Sequence, residues 1–327
     1  MTPRRSVVRA GLAVLAVVLA GCATEVGSGA DASGTTTSMA PTTVATTTTS
    51  TVPSTSTSTS STSTSTTTST STTTSTTSTT STSLAPTTTA PPVDPDSGLT
   101  VVSPSEAPWV APNVEVQIGR SVQGRPITLV RRGVPGGARV LVVGVIHGNE
   151  AAGTAVVDRL RTAVVPDGVE LFLVPSINPD GQAISDRQNA NLVDLNRNFP
   201  ANWAPLGSPG DWQYGGASPA SEPETQTMVA LGEAVRPDLI LWYHQDLNRI
   251  APGTGRNGEI RARFAEITGL PIVDISGGTY TGTAAQWAGT IQTDSGTGIT
   301  VELGPTISDA QVEAHVAAIF AVATEFW

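Results

Sequence analysis

From residue 113 onward, apolar positions fall into short runs with two different periods. Alternating or continuous apolar runs at 114–118, 127–131, 140–146, 169–175, 239–244, 272–275 and 299–303 read as strands, and the runs without alternation as strands buried on both faces. Between them, apolar residues spaced three and four apart at 151–162, 222–235, 259–268, 283–290 and 308–326 read as helices with one buried face. Strands alternating with helices predict an α/β domain whose mixed, mostly parallel sheet is covered on both sides. Residues 200–220 have no period, are rich in Gly, Asn and Pro, and read as a long loop near the site.

The pattern breaks upstream. Residues 1–22 place Arg4, Arg5 and Arg9 ahead of an apolar stretch at 10–20 and end in Leu19-Ala-Gly-Cys22. That order is an export signal, too short to span a membrane as a helix. Its ending resembles a bacterial lipoprotein signal, in which Cys22 becomes the lipidated first residue. This implies an exported protein, anchored by lipid to the outer face of the cell membrane and reaching into the cell wall. Residues 23–97 are dominated by Ser and Thr with scattered Ala and Pro. They bury too little apolar surface to offset their ordering entropy and are expected to form a disordered tether, with a composition that also fits an O-glycosylated stalk. Residues 92–112, a Pro, Ser and Asp-rich stretch, read as a transition into the folded domain, placed at 98–327 and large enough for one core.

Composition removes some function classes. The formal net charge is -10, and all 17 basic residues are Arg, with no basic cluster. An acidic chain of this kind has no footprint for nucleic acid. Cys22 is the only cysteine, so no disulfide is expected, and a monomer is the simplest assembly.

The chain holds three histidines. His147 follows the 140–146 run, Gly148 offers a turn, and Glu150 comes three residues on at the mouth of a helix-like segment. A strand that turns into a helix in this way aims both side chains at one point. Catalytic zinc takes imidazole nitrogen and carboxylate oxygen from three protein ligands and leaves a position for water. His244 closes the 239–244 run at a strand's C-terminal end, where open α/β sheets place their ligands, and reads as the third ligand. His315, in the last helix-like run, reads as an ordinary surface or packing residue.

Further stretches fall in a recognisable order around these three residues: Ser121-Val-Gln-Gly-Arg-Pro-Ile, Asn178-Pro-Asp-Gly, Asp194-Leu-Asn-Arg-Asn-Phe-Pro200, Ser221-Glu-Pro-Glu-Thr225 and Thr300-Val-Glu-Leu-Gly304. From about residue 113 to the C-terminus the chain resembles the zinc metallocarboxypeptidase family, and most of all its bacterial branch containing murein peptide amidase. The resemblance implies a three-layer α/β/α sandwich and one Zn2+ on His147, Glu150 and His244. It also implies roles for other residues. Glu302 would be the general base, Asp194 the carboxylate that orients His147, and Asn196 with Arg197 the grip on a substrate's terminal carboxylate. Arg187 would stabilise the oxyanion, an assignment that depends on a gap because the segment between Asn178 and Asp194 is shorter than in digestive carboxypeptidases. Tyr280 matches a substrate-contacting Tyr, two residues nearer Trp287 than the pancreatic pattern places it. Ala285 matches the base of the side-chain pocket, and Ala284 and Ala285 leave no acid there to select a basic side chain.

Together these readings predict a metallopeptidase that hydrolyses an amide beside a free carboxylate, acting on a peptide or muropeptide, with the γ-D-glutamate to diaminopimelate bond as the expected target. A general carboxypeptidase, an aspartoacylase-like N-acyl-amino-acid deacylase and a non-catalytic wall-binding module remain as alternatives.

Overall fold

The computed structural model describes residues 92–292 and 296–327. The predicted leader at 1–22 with Cys22, and most of the 23–97 tether, lie outside the described residues. The strands are β1 (Thr100–Val101), β2 (Glu115–Arg120), β3 (Pro126–Gly133), β4 (Ala138–Val143), β5 (Val169–Val174), β6 (Leu239–Gln245), β7 (Arg249–Ile250) and β8 (Thr297–Leu303). The α-helices are α1 (Gly153–Thr162), α2 (Pro179–Ile184), α3 (Pro223–Val235), α4 (Gly255–Thr268), α5 (Ala284–Ile291) and α6 (Asp309–Phe326).

The strands form one sheet in the order β1-β2-β3-β5-β4-β6-β8-β7. Its centre, β5-β4-β6-β8, is parallel, whereas β3 joins β5 and β7 joins β8 in antiparallel fashion. The near-continuous apolar sequences Val169-Glu-Leu-Phe-Leu-Val and Leu239-Ile-Leu-Trp-Tyr belong to these central strands because both of their faces are covered. One face packs on α1, α4 and α6 through Val156, Leu160, Phe264, Ile319 and their neighbours. The other packs on α3 and α5 through Met228, Leu231 and Trp287. The predicted three-layer α/β/α sandwich with a mixed, mostly parallel sheet is what the chain adopts. No helix among the described residues is long and apolar enough to cross a membrane.

Some elements differ from expectation. Residues 272–275 make only a single bridge, Ile250 to Ile272, rather than a strand. The strand on that edge is the two-residue β7, too short to leave a period in the sequence. The Pro92–Pro112 stretch is part of the domain: β1 extends the sheet beside β2, and a short 3-10 helix spans Pro104–Trp109. Helix α2 was hidden in Asn178-Pro-Asp-Gly. Asn178 accepts from the Gly181 amide at 2.9 Å as an N-cap, and Pro179 supplies a preset φ.

His315 is a packing residue, only 2% exposed, with its Nδ1 3.2 Å from the Tyr243 hydroxyl and Phe264 against its ring. Burial pushes its pKa down to about 4. The unfolded chain therefore binds a proton near pH 6.5 that the folded protein refuses until about pH 4. Stability is full above pH 6.5 and falls as the pH drops through that window. Between pH 8 and pH 4 the protein should lose about 3 kcal/mol more than a His315→Phe variant does, read as denaturant midpoints at the two pH values. Parallel losses in the two proteins would mean that His315 titrates normally.

Candidate metal centre and active-site cleft

Parallel strands β4, β6 and β8 end side by side, and their C-terminal ends build the site. The register of β6 on β8 sets His244 directly beside Glu302. His147 lies four residues beyond the end of β4, in a turn where the Glu150 amide bonds back to the His147 carbonyl at 3.0 Å. Glu150 does not open α1 as the sequence predicted; the helix begins at Gly153, and the turn alone draws the pair together. Gly148 allows this turn to lie against the backbone of α2, since a Cβ there would meet the Gly181 carbonyl carbon at 2.0 Å. A larger residue would push the turn and His147 outward.

The three predicted ligands converge. One ligand atom from each of His147, Glu150 and His244 lies within 4.8 Å of the others. Glu150 Oε1 is 2.9 Å from His147 Nδ1, Glu150 Oε2 is 2.9 Å from His244 Nδ1, and the two Nδ1 atoms are 3.2 Å apart. Asp194 Oδ1 sits 3.0 Å from His147 Nε2, so that nitrogen carries the proton and the Nδ1 lone pair faces the centre. Two imidazoles and a carboxylate aimed at one point are a donor set suited to zinc, and the residues fit the ion.

Charge is concentrated here. Burial opposes ionisation of Glu150, but the neighbouring imidazoles overcome it and hold its pKa well below the usual range. Asp194, fully buried, is likewise driven down by His147, Arg187 and Arg197 against the cost of burial. Arg187 donates to Asp194 Oδ2 from Nη2 at 2.8 Å and from Nε at 3.1 Å, and its Nη1 reaches Glu150 Oε1 and His147 Nδ1, each at 3.2 Å. The guanidinium thus sits beside the predicted ligands. Glu302 is only 8% exposed, and its Oε2 has no hydrogen-bond partner. Burial, with the Glu150 charge adding to it, pushes its pKa up to about 7.

The remaining predicted residues surround the same cleft of about 460 Å³, lined by Asn196, Arg197, Tyr280 and Ala285 together with the three ligands and Glu302. Asn196 is fastened by its Oδ1, which accepts from the Ala284 amide at 2.9 Å. Arg197 is buried, its Nε lacks a partner, and Tyr280 lies 5.3 Å from its guanidinium. Other residues of the cleft wall went unforeseen. Trp212 and Gln213 reach the cleft from the 200–220 loop, and the 60% exposed Trp212 ring stands 5.2 Å from the Arg187 guanidinium. A lone aromatic in an aperiodic loop carries no signal of where it will point.

Residues 112–248 match the sequence model of the zinc carboxypeptidase family. The chain carries a zinc carboxypeptidase domain. The carboxypeptidase match ends ahead of β8, so Glu302 lies beyond it. Murein peptide amidase A of Escherichia coli (strain K12) is 28% identical over 232 residues, 68% of this chain and 94% of the relative. The corresponding protein of Vibrio campbellii is 28% identical over 62% of this chain and 85% of the relative. Among solved structures, the murein-tripeptide amidase of E. coli O157 superposes with a TM-score of 0.50 at 28% identity, covering 68% of this chain and 95% of that one. Carboxypeptidase A of Helicoverpa armigera, at 20% identity and a TM-score of 0.55 over 65% of this chain and 68% of that one, shares the fold. The carboxypeptidase domain is that of a metallohydrolase.

Proposed function

We propose that this chain is a zinc peptidase of the cell wall that hydrolyses the γ-D-glutamate to diaminopimelate amide of stem peptides, releasing a residue with a free carboxylate. What supports the substrate is the likeness to murein peptide amidases over nearly their whole length. What supports the chemistry is the convergence of two imidazoles and a carboxylate on one point beside an unpartnered buried carboxylate. The Arg-rich start, apolar stretch and Leu19-Ala-Gly-Cys22 support export and lipid anchoring at Cys22, with the Ser/Thr-rich segment ahead of Pro92 as the tether and residues 92–327 as the catalytic domain.

His147, Glu150 and His244 would hold the metal, with Asp194 fixing the tautomer and plane of His147. Bound there, zinc supplies a Lewis acid that polarises the scissile carbonyl and lowers the pKa of water. Arg197 and Asn196 grip the carboxylate of the leaving residue, and the unpartnered Arg197 Nε leaves a donor for it. Glu302 takes a proton from the attacking water as its oxygen joins the carbonyl carbon. It returns the proton to the amine nitrogen as the carbon–nitrogen bond breaks. Arg187 offers positive charge to the developing oxyanion. Tyr280 and Ala285 shape the side of the cleft that receives the leaving residue.

The test is to load the full-length protein with zinc and offer L-Ala-γ-D-Glu-diaminopimelate, ordinary peptides with free C-termini and N-acetyl amino acids, reading products by mass spectrometry. Release of diaminopimelate is expected. Trimming of ordinary peptides alone would replace this reading with a general carboxypeptidase, and cleavage of acetyl amino acids alone with a deacylase. Zinc binding without any cleavage would leave a wall-binding module.

A further inference from the structure

The cleft does not end at Ala285. That residue, on the exposed side of α5, also lines a second groove of about 350 Å³ running between α4 and α5 toward the start of β8. Asn257 and Arg261, one turn apart, form the α4 wall, while Ala285 and Gly289 of α5, with Gln292 just past its end, form the other. Along β8, residues of one face step from Glu302 through Thr300 in the cleft to Gly298 in the groove. The space beside Gly289 is open, since a Cβ there would meet nothing within 4 Å.

The groove contains a cation without a counter-ion. The half-buried Arg261 guanidinium donates to Asn257 Oδ1 and to the carbonyls of Ala251 and Gly298, and no carboxylate among the described residues pairs with it. Ala251 itself lines the cleft. Across from Arg261, Gln292 Nε2 is buried and has no acceptor. A half-buried guanidinium held only by neutral acceptors, and beside it a buried amide N–H with none, are costly unless something anionic completes them.

We propose that this groove extends the pocket for the leaving residue and that Arg261, with Gln292, binds a carboxylate at the far end of that residue's side chain. This rests on the muropeptide reading and deepens it. Arg261 is a specificity-determining residue on this account: the terminal carboxylate goes to Arg197 and the distal one to Arg261. Diaminopimelate has both. Lysine is the same residue without the distal carboxylate, so the pair isolates the contact.

The experiment compares kcat/KM of the zinc-loaded full-length protein for L-Ala-γ-D-Glu-meso-diaminopimelate and L-Ala-γ-D-Glu-L-lysine. The parent should prefer diaminopimelate by at least about tenfold, the size of one charge-assisted hydrogen bond. Arg261→Gln should bring that ratio close to one. Because Arg261 also ties α4 to β8, a second variant guards against misfolding. Gly289→Leu fills the groove from a helical position where Leu is the better helix former, and should lower the ratio as well. Equal cleavage of both tripeptides by the parent, or a ratio unchanged in Arg261→Gln and Gly289→Leu, would overturn the groove assignment while the muropeptide reading stands. Cleavage of neither tripeptide would remove that reading itself.

Discussion

Replacing Glu302 with Gln is expected to lower kcat by about 10²–10⁴-fold, the range for losing a positioned proton carrier, while one zinc per chain stays bound. The substitution keeps the shape of a side chain that is 8% exposed, so it opens no cavity. It breaks no bond at Oε2, because that atom has none. The thermal midpoint should therefore hold within a few degrees, and KM should change far less than kcat. A general base needs a pKa near its working pH, and in the metal-free site burial pushes Glu302 up to about 7, a rise that a bound cation would offset in part. Single-turnover rates and zinc content measured on the same preparation decide the matter. A kcat within tenfold of the parent would remove Glu302 from proton transfer, and a loss of zinc would make it a ligand instead.

The parts of the site legible in the sequence are those carried by strand ends. His244 closes one apolar run and Glu302, singled out by the family resemblance, lies one residue from the end of another; the two runs become neighbouring parallel strands, so their adjacency follows from the fold and its register. His147 and Glu150 are close in sequence, and any tight turn at Gly148 brings them together, even though the helix starts later than its pattern implied. Arg187 was weaker, because its place is fixed by the carboxylates of Asp194 and Glu150 rather than by any period. The 200–220 loop was legible as a neighbour of the site, but Trp212 and Gln213 within it, and Arg261, were not. The first two lie in an aperiodic loop, and the third resembles any polar position of an amphipathic helix until α5 is laid beside it. Periodicity reports which face of an element is buried, not which polar group will lack a partner.

Asp194→Asn should weaken zinc by about 10–100-fold, the usual cost of removing the carboxylate that orients a ligand imidazole. Asn could still accept from His147 Nε2 through its side-chain oxygen, but without the charge that makes the imidazole a better donor to metal. The same substitution strips Arg187 of the carboxylate it grips through both Nη2 and Nε. Breaking a buried ion pair costs about 3–5 kcal/mol, and the lower end applies because Arg187 keeps Glu150 and part of its exposure. Unfolding should accordingly move by about 3 kcal/mol in metal-free protein, and zinc affinity, measured by competition with a chelator, should fall separately. The double variant Asp194→Asn, Arg187→Gln tells the two effects apart. Removing the stranded guanidinium should restore much of the stability. Arg187 Nη1 also stands 3.2 Å from Glu150 Oε1 and His147 Nδ1, so zinc affinity is compared with the Arg187→Gln single variant, against which the added Asp194→Asn should still cost about 10–100-fold. Equal zinc affinity in the single and double variants would mean that Asp194 acts on the metal through Arg187 and not through the imidazole.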